Sequence, residues 1–492
     1  MSPLRRKLNS RTRAGLLVFA ACLFTYTLML VVVPHFPGMP STDGDEPHYL
    51  IIAQSLLKDG DLDVENNYLE QQYRPYYQLD IELPHMVEGR GGRMVSTHPA
   101  FLSMVVLPGF ALFGFRGAAM TMIFFTSLAA ALTFAIADRF IRRLTALGVV
   151  LFLFFTYPIL FYSRLIYPET MALFLLPLGV MSCLRLKENG SLYFAAVSGL
   201  SAGLLILFHP KFIALAIALL VLTLMVSRST GSVRPALWWW LAPAFFCLAG
   251  LLVITGLTYG PNLLSGLTAS GGSRLMGGYL GTNSVWGVVG MFLDRAWGLF
   301  IFAPIYMLFP HGLAMNRGRL EWSRWWAFFP LAIALHVLMM GIFQSWNGGA
   351  CPVQRYLIPL SSLFVIGLAL FADRCRLRAG QAVAAALALV QVITTVWAFR
   401  FIIGTFGLEG GDNIFLEHFL GNSLITRVLL AIFPMYHPAG LMEIVLTLAW
   451  LALFAATVRG ARNYYASSSD RMLETHSQDA PGGNASPGVG LR

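Results

Sequence analysis

The chain has 492 residues, 57% of them hydrophobic and only 12% charged, with a formal net charge of +10. A soluble domain carries about 25% charged residues, so this composition excludes a soluble globular protein and indicates a polytopic membrane protein. The basic excess then reports membrane topology, not nucleic-acid binding.

In chain order, the first apolar run covers about 14–34, behind a basic segment with Arg5, Arg6, Lys7, Arg11 and Arg13. It has no small-x-small cleavage site before Pro34, which predicts a retained first helix instead of a signal peptide. The loop at 35–116 is far longer than a connection needs. It opens on Asp43-Gly44-Asp45-Glu46-Pro47-His48-Tyr49, where two adjacent acids, a helix-starting proline and a histidine sit at the membrane exit. From Glu46 to Leu57, the residues Leu50, Ala53 and Leu57 share a stripe with Ile51 and Ile52 beside it. That spacing predicts a helix lying on the membrane surface.

Asp59, Asp61 and Asp63 echo a calcium loop, but Val64 stands where such a loop needs glycine, so a solvated turn is expected. Tyr68, Tyr73, Tyr76 and Tyr77 read as an interfacial aromatic belt or a sugar-stacking surface. Pro99 to Phe113 is short for a span and reads as interfacial or re-entrant.

Further apolar runs lie near 117–137, 144–162, 167–184, 192–208, 212–226, 236–258, 297–313, 326–343, 357–372, 381–402 and 438–458. With the first they predict an all-α integral membrane protein of about twelve transmembrane helices. The connections facing the same side as the long loop are short but chemically loaded. One holds Arg164, Tyr167, Pro168 and Glu169, another His209-Pro210-Lys211, and a third runs from Trp346-Asn347-Gly348-Gly349 to Arg355-Tyr356. Prolines 158, 168, 177 and 210 mark kinks or loop edges, and the five cysteines show no pairing or metal-ligand spacing. Residues 459–492, rich in Ser, Gly and Pro, read as a disordered cytoplasmic tail behind a transmembrane domain at 1–458.

A cytoplasmic N-terminus puts 22 of the 34 basic residues but only 7 of the 24 acids inside, a net +15 against −5 outside. The positive-inside rule therefore places both termini in the cytoplasm and the loaded loops outside.

These loops resemble the GT-C superfamily of polytopic glycosyltransferases, near its protein O-mannosyltransferase and aminoarabinose-transferase members. The likeness rests on Asp45-Glu46 in the first outer loop, His98-Pro99 before the second span and Glu169 in the second outer loop. Trp346-Asn347-Gly348-Gly349 with Arg355-Tyr356 completes it. It covers roughly 14–400 in topology but only a few dozen residues in motif. His98-Pro99 lacks the second proline of the mannosyltransferase motif, since Ala100 follows, and Glu169 stands where many relatives have aspartate.

The resemblance implies inverting transfer of a sugar from a polyprenyl-phosphate donor to a glycolipid, glycan or protein acceptor. It also implies the outer face of a bacterial inner membrane. Asp45 fits the essential first-loop acid and would take the proton of the acceptor hydroxyl. As Asp before Glu-Pro it is equally a good helix N-cap. Glu46 would tune Asp45 or join a metal site. Arg355 is the donor-phosphate candidate, because a guanidinium fork matches phosphate bidentately. Lys211, Arg164 and His98 are further phosphate ligands, and Glu169, His48 and Tyr356 support substrate or metal. A divalent cation is compatible with these acids, though no spacing demands one.

Three rivals remain open at this level. A transporter or flippase for lipid-linked saccharides would carry charges deep in its spans and an internal repeat, neither of which is evident. An assembly protein would tolerate loss of Asp45. A polymerase or ligase would also need outer-face arginines.

Overall fold

The computed structural model describes residues 3–32, 44–81, 85–260, 284–316, 327–342, 346–349, 351–400, 417–418, 421, 423–436 and 440–478. Its first helix, α1 (Pro3–Val32), leads to the loop helices α2 (Glu46–Lys58) and α3 (Glu65–Leu69). A short antiparallel hairpin follows, β1 (Met86–Glu88) and β2 (Met94–Ser96), in the register Met86 opposite Ser96. Next come α4 (Phe101–Ala137), α5 (Arg143–Phe154), α6 (Ile159–Tyr162), α7 (Pro168–Asn189), α8 (Tyr193–Phe208), α9 (Ile213–Ser229) and α10 (Val233–Tyr259). The second half contains α11 (Ser284–Leu293), α12 (Leu299–Phe302), α13 (Phe309–Met315), α14 (Phe328–Gly341) and α15 (Ser361–Arg374). It closes with α16 (Arg378–Arg400), α17 (Leu424–Ile432) and α18 (Leu441–Gln478).

The protein is an all-helical integral membrane protein. Eight helices among the described residues are long and apolar enough to cross a membrane, and α5, α8 and α14 are shorter apolar helices. These eleven match eleven of the twelve expected runs. The twelfth, 297–313, is instead α12, a 3-10 turn at Pro304–Leu308 and α13. Pro304 and Pro310 each remove a backbone donor there, which breaks the run. Lipid-facing sides of α1 and α10 expose Leu17, Phe24, Phe246 and Val253, as a hydrocarbon solvent permits.

With no hydrophobic drive between helices in lipid, close contact depends on small residues. Gly199 and Gly203, four apart on α8, lie against α10. A Cβ on Gly199 would stand 2.0 Å from the Trp240 carbonyl oxygen, so any side chain there would push the two helices apart.

The segment read as re-entrant is the first part of α4. Non-helical angles at Phe113 and at Gly114, with φ 57°, break the helix there. A Cβ on Gly109 would meet the Gly117 carbonyl oxygen at 2.4 Å. Residues eight apart in a straight helix are separated by about 12 Å, so the chain folds sharply back at this break.

The loop helix α2 is more enclosed than its stripe suggested: every residue from Glu46 to Ser55 is buried. Asp59, Asp61 and Asp63 form a self-bonded turn beneath it, with Ser55 Oγ donating to Asp61 Oδ1 at 3.1 Å and Asp61 Oδ1 accepting from the Asp63 amide at 3.1 Å. Tyr68, Tyr73 and Tyr76 are likewise buried inside the loop. α18 runs past position 459, the expected start of the tail, to Gln478. Tyr465 Oη accepts the Arg376 amide at 2.7 Å and ties this extension to the turn before α16. Residues 479–492 of the expected tail lie outside the described residues.

Candidate functional site

Four ionisable side chains from four separate parts of the chain meet where α2, α7, α9 and the loop before α15 converge. Glu169, fully buried in the first turn of α7, accepts on Oε1 from Lys211 Nζ and from Arg355 Nε, each at 2.7 Å. Arg355 Nη2 also donates to Asp45 Oδ2 at 2.6 Å, so one guanidinium bridges two carboxylates. Glu169 Oε2 is buried and has no hydrogen-bond partner among the described residues. Buried charges survive in a protein only when paired, and here two cations face two anions.

Local sequence explains each placement. Pro168 at the first helical position starts α7 and sets Glu169 in its opening turn. Pro210 does the same for the 3-10 turn Pro210–Phe212 that carries Lys211. Arg355 follows an irregular loop with positive φ at Gly348 (92°), Gly349 (74°) and, unusually, the non-glycine Gln354 (76°). Buried tyrosines anchor that loop: Tyr157 Oη donates to the Val353 carbonyl at 2.8 Å, and Tyr162 Oη donates to the Pro352 carbonyl. Gly348 also lies close to Arg355, since a Cβ there would stand 3.3 Å from Arg355 Cβ.

Aromatic faces hold the cations. The Arg355 guanidinium lies 4.3 Å from the Tyr167 ring centroid, and Lys211 Nζ lies 5.0 Å from that of Tyr356. Tyr167 Oη in turn accepts the Asp45 amide at 3.2 Å.

Asp45 precedes α2 but makes no side-chain capping bond, so its carboxylate is committed to Arg355 and not to the helix end. Burial alone would raise the Asp45 carboxyl; the Arg355 guanidinium, by charge and hydrogen bond, together with the neighbouring histidines outweighs this and holds it well below the usual carboxylate range. Its neighbour Glu46 points elsewhere. Glu46 Oε1 accepts the Ile166 amide at 2.8 Å and supplies the compensating charge for buried Arg164. The structure therefore brings Asp45, Glu169, Lys211, Arg355 and Tyr356 together, while Glu46 turns to the Ile166 amide and its charge partly offsets the burial of Arg164.

Three histidines complete the site. His85 and His98 flank the β1–β2 hairpin, and His85 Nδ1 lies 2.9 Å from His98 Nε2. His48 stacks on His85 with ring centroids 3.9 Å apart, and its Nδ1 is 2.6 Å from Tyr68 Oη. Burial pushes the His98 imidazole down to about 4 against the pull of Asp45, and burial likewise lowers His48, so both rings are neutral at physiological pH. Ligand atoms of Asp45, His85 and His98 lie within 4.8 Å of one another, a grouping able to hold a metal ion. Beside His98 an apolar cleft opens between α4, α8 and α10, lined by Phe101, Leu207, Pro210, Leu251 and Ile254, with Tyr259 at its rim.

No protein-family model matches the sequence, and no curated protein does. A solved structure does match. The chain is similar to ArnT from Cupriavidus metallidurans, whose crystal structure is bound to undecaprenyl phosphate, with a TM-score of 0.50 and 15% sequence identity. The match covers 92% of this chain and 74% of that one. The chain therefore shares the fold of that structure.

Within this fold, two contributors had escaped sequence reasoning as site residues. Tyr167 was visible only as part of a polar loop, since nothing local signals a ring beneath a distant guanidinium. His85 lies 13 positions before His98. The available signal was a pair of histidines bracketing two short β-prone stretches around Gly89, Gly91 and Gly92.

Proposed function

We propose that the protein is a polyprenyl-phosphate-dependent glycosyltransferase acting at the extracytoplasmic face of a bacterial inner membrane, with both termini cytoplasmic. The observation that carries this reading is the single guanidinium of Arg355 shared between Asp45 and Glu169, with Lys211 beside it. An arginine fork and a lysine are the groups suited to a phosphate, and a clustered site at a span end suits a lipid headgroup. The cleft at His98 is apolar, as a prenyl chain would need, and the solved neighbour that binds undecaprenyl phosphate favours the same ligand class.

The chemistry follows from exchange of partners. The donor phosphate takes up the Arg355 Nη2 donor now given to Asp45, and Lys211 meets a second phosphate oxygen. Released from its cation, the Asp45 carboxylate regains basicity and takes the proton of the acceptor hydroxyl. The acceptor oxygen forms its bond to the anomeric carbon from the face opposite the phosphate, giving inversion. The carbon–phosphate oxygen bond breaks, and polyprenyl phosphate leaves with the electron pair, its charge met by fixed cations. Glu169 holds both cations in place. The acceptor is a glycolipid, a glycan or a protein hydroxyl.

The test is turnover of polyprenyl-phosphate sugars by wild type and Asp45→Asn in lipid. Asn keeps the shape but cannot take the proton, so turnover falls by about 10²–10⁴-fold while donor binding persists. A wild-type protein inert to every such donor, or a fully active Asp45→Asn, overturns the reading.

A further inference from the structure

In the run His209-Pro210-Lys211, only the lysine has a part in the transfer described above. The histidine is nonetheless held in one orientation and one tautomer. Pro210 confines the residue before it to extended backbone, so α8 stops and His209 turns its ring over the 3-10 turn that follows. There its Nδ1 accepts the Lys211 amide at 3.2 Å, and the Phe212 ring packs edge-on against it with centroids 6.2 Å apart. An amide donates only to a lone pair, so Nδ1 carries no proton and the neutral ring keeps its proton on Nε2. Burial lowers the His209 imidazole well below its usual value, and the charges of Lys211 and Arg355 press the same way, so the ring is neutral at physiological pH. His209 is therefore a fixed N–H donor.

That donor is unspent. Other histidines of the site give ring nitrogens to the protein: His85 and His98 to each other, His48 to Tyr68, and His336 Nε2 to the Tyr356 carbonyl at 2.8 Å. His209 Nε2 has no hydrogen-bond partner among the described residues, and it is not closed off from solvent. It stands where the two halves of the site meet. Lys211, Arg355 and Asp45 all act on its ring from the charged cluster. On the other side its neighbour Pro210 lines the apolar cleft together with His98. The headgroup of a lipid whose chain entered that cleft would come to rest at this junction.

We propose that His209 is a third ligand of the donor phosphate, giving its Nε2–H to a phosphate oxygen while Arg355 and Lys211 supply the charge. The proposal rests on the polyprenyl-phosphate reading above. Its chemical logic is that Asp45 and Glu169 already balance Arg355 and Lys211. A neutral donor adds a hydrogen bond to the phosphate without a further buried cation that would need its own partner when the site is empty.

A purely structural role would make His209 no more than the cap of the Lys211 turn. The two roles use different ring atoms, which makes them separable. His209→Asn keeps an acceptor near the Nδ1 position and is itself a favoured cap, but reaches nothing at Nε2. His209→Gln extends an amide N–H toward the Nε2 position and gives up the cap.

The measurement is equilibrium binding of undecaprenyl phosphate, a ligand with no sugar, to full-length protein in nanodiscs. Each variant is checked for folding by gel filtration and thermal unfolding; His209→Ser, a second cap without an amide, replaces His209→Asn should the latter not fold. His209→Asn is expected to lose affinity by about 10-fold or more, the loss of a hydrogen bond to a charged group, while His209→Gln keeps most of it. Wild-type affinity in folded His209→Asn, or an equal fall in His209→Gln, overturns the proposal and leaves the ring a cap. A loss confined to turnover of the sugar donor, with undecaprenyl phosphate bound as before, also overturns it, because Nε2–H would then serve the sugar. Wild type that binds no undecaprenyl phosphate removes the polyprenyl-phosphate reading and this role with it, an outcome seen before any variant is compared.

Discussion

The two ends of α7 use the same residue types in opposite ways. At one end Glu169 is fully buried between Lys211 and Arg355, and Arg355 reaches on to Asp45. At the other end Glu188 accepts from Arg139 Nε at 3.2 Å with nearly half its side chain exposed. Nearby, Arg142, 63% exposed, pairs with Asp373 at 2.8 Å, and Asp138 is shared by Arg11 and Arg143. Nineteen residues of helix separate the two acids of α7, about 28 Å at 1.5 Å per residue, close to the thickness of a bilayer core. One cluster is dry, held by aromatic rings and convergent from distant parts of the chain. The other is partly solvated and assembled from helix ends. Exposed ion pairs contribute little. Dry pairs are costly to keep and costlier to break, which fits a site whose charges await a ligand.

The contrast can be broken experimentally, and the largest effect is expected at Arg355. Arg355→Ala should abolish sugar transfer and, by stranding two carboxylates, lower stability by about 3–5 kcal/mol. Thermal unfolding in detergent and a turnover assay check both parts; Arg355→Lys should recover stability in part, but little transfer, because it loses the fork. Next comes the loss of turnover in Asp45→Asn with donor binding kept. Lys211→Met should weaken donor binding by about 10-fold or more, equivalent to at least 1.4 kcal/mol, while Asp45 and Arg355 remain paired. At the other end of α7, Arg142→Ala should change stability by no more than about 1 kcal/mol and leave turnover unaltered. A loss there comparable to Lys211→Met would erase the distinction between the two clusters.

Much of this was readable before any coordinates, for a physical reason. In a chain with 12% charged residues, an acid or base at a span end stands out, so Asp45, Glu169, Lys211 and Arg355 could each be singled out. What could not be read was who pairs with whom. Asp45 and Glu46 are adjacent and chemically alike, yet one turns to Arg355 and the other to the Ile166 amide and Arg164. That choice depends on how α2 sits beneath the loop before α7, a long-range packing decision. His85 was hidden for the same reason, since only hairpin pairing brings it to His98. Span locations were legible from hydropathy, but the 297–313 run showed its limit: apolarity persists through Pro304 and Pro310 although the helix does not.

The most direct test is equilibrium binding of undecaprenyl phosphate to the protein in nanodiscs, comparing wild type with Arg355→Ala and Arg142→Ala. The account predicts that wild type and Arg142→Ala bind alike, while folded Arg355→Ala loses affinity by about 100-fold, the equivalent of two 1.4 kcal/mol steps. Equal binding by all three would contradict it, because the buried guanidinium would then have no part in holding the lipid phosphate.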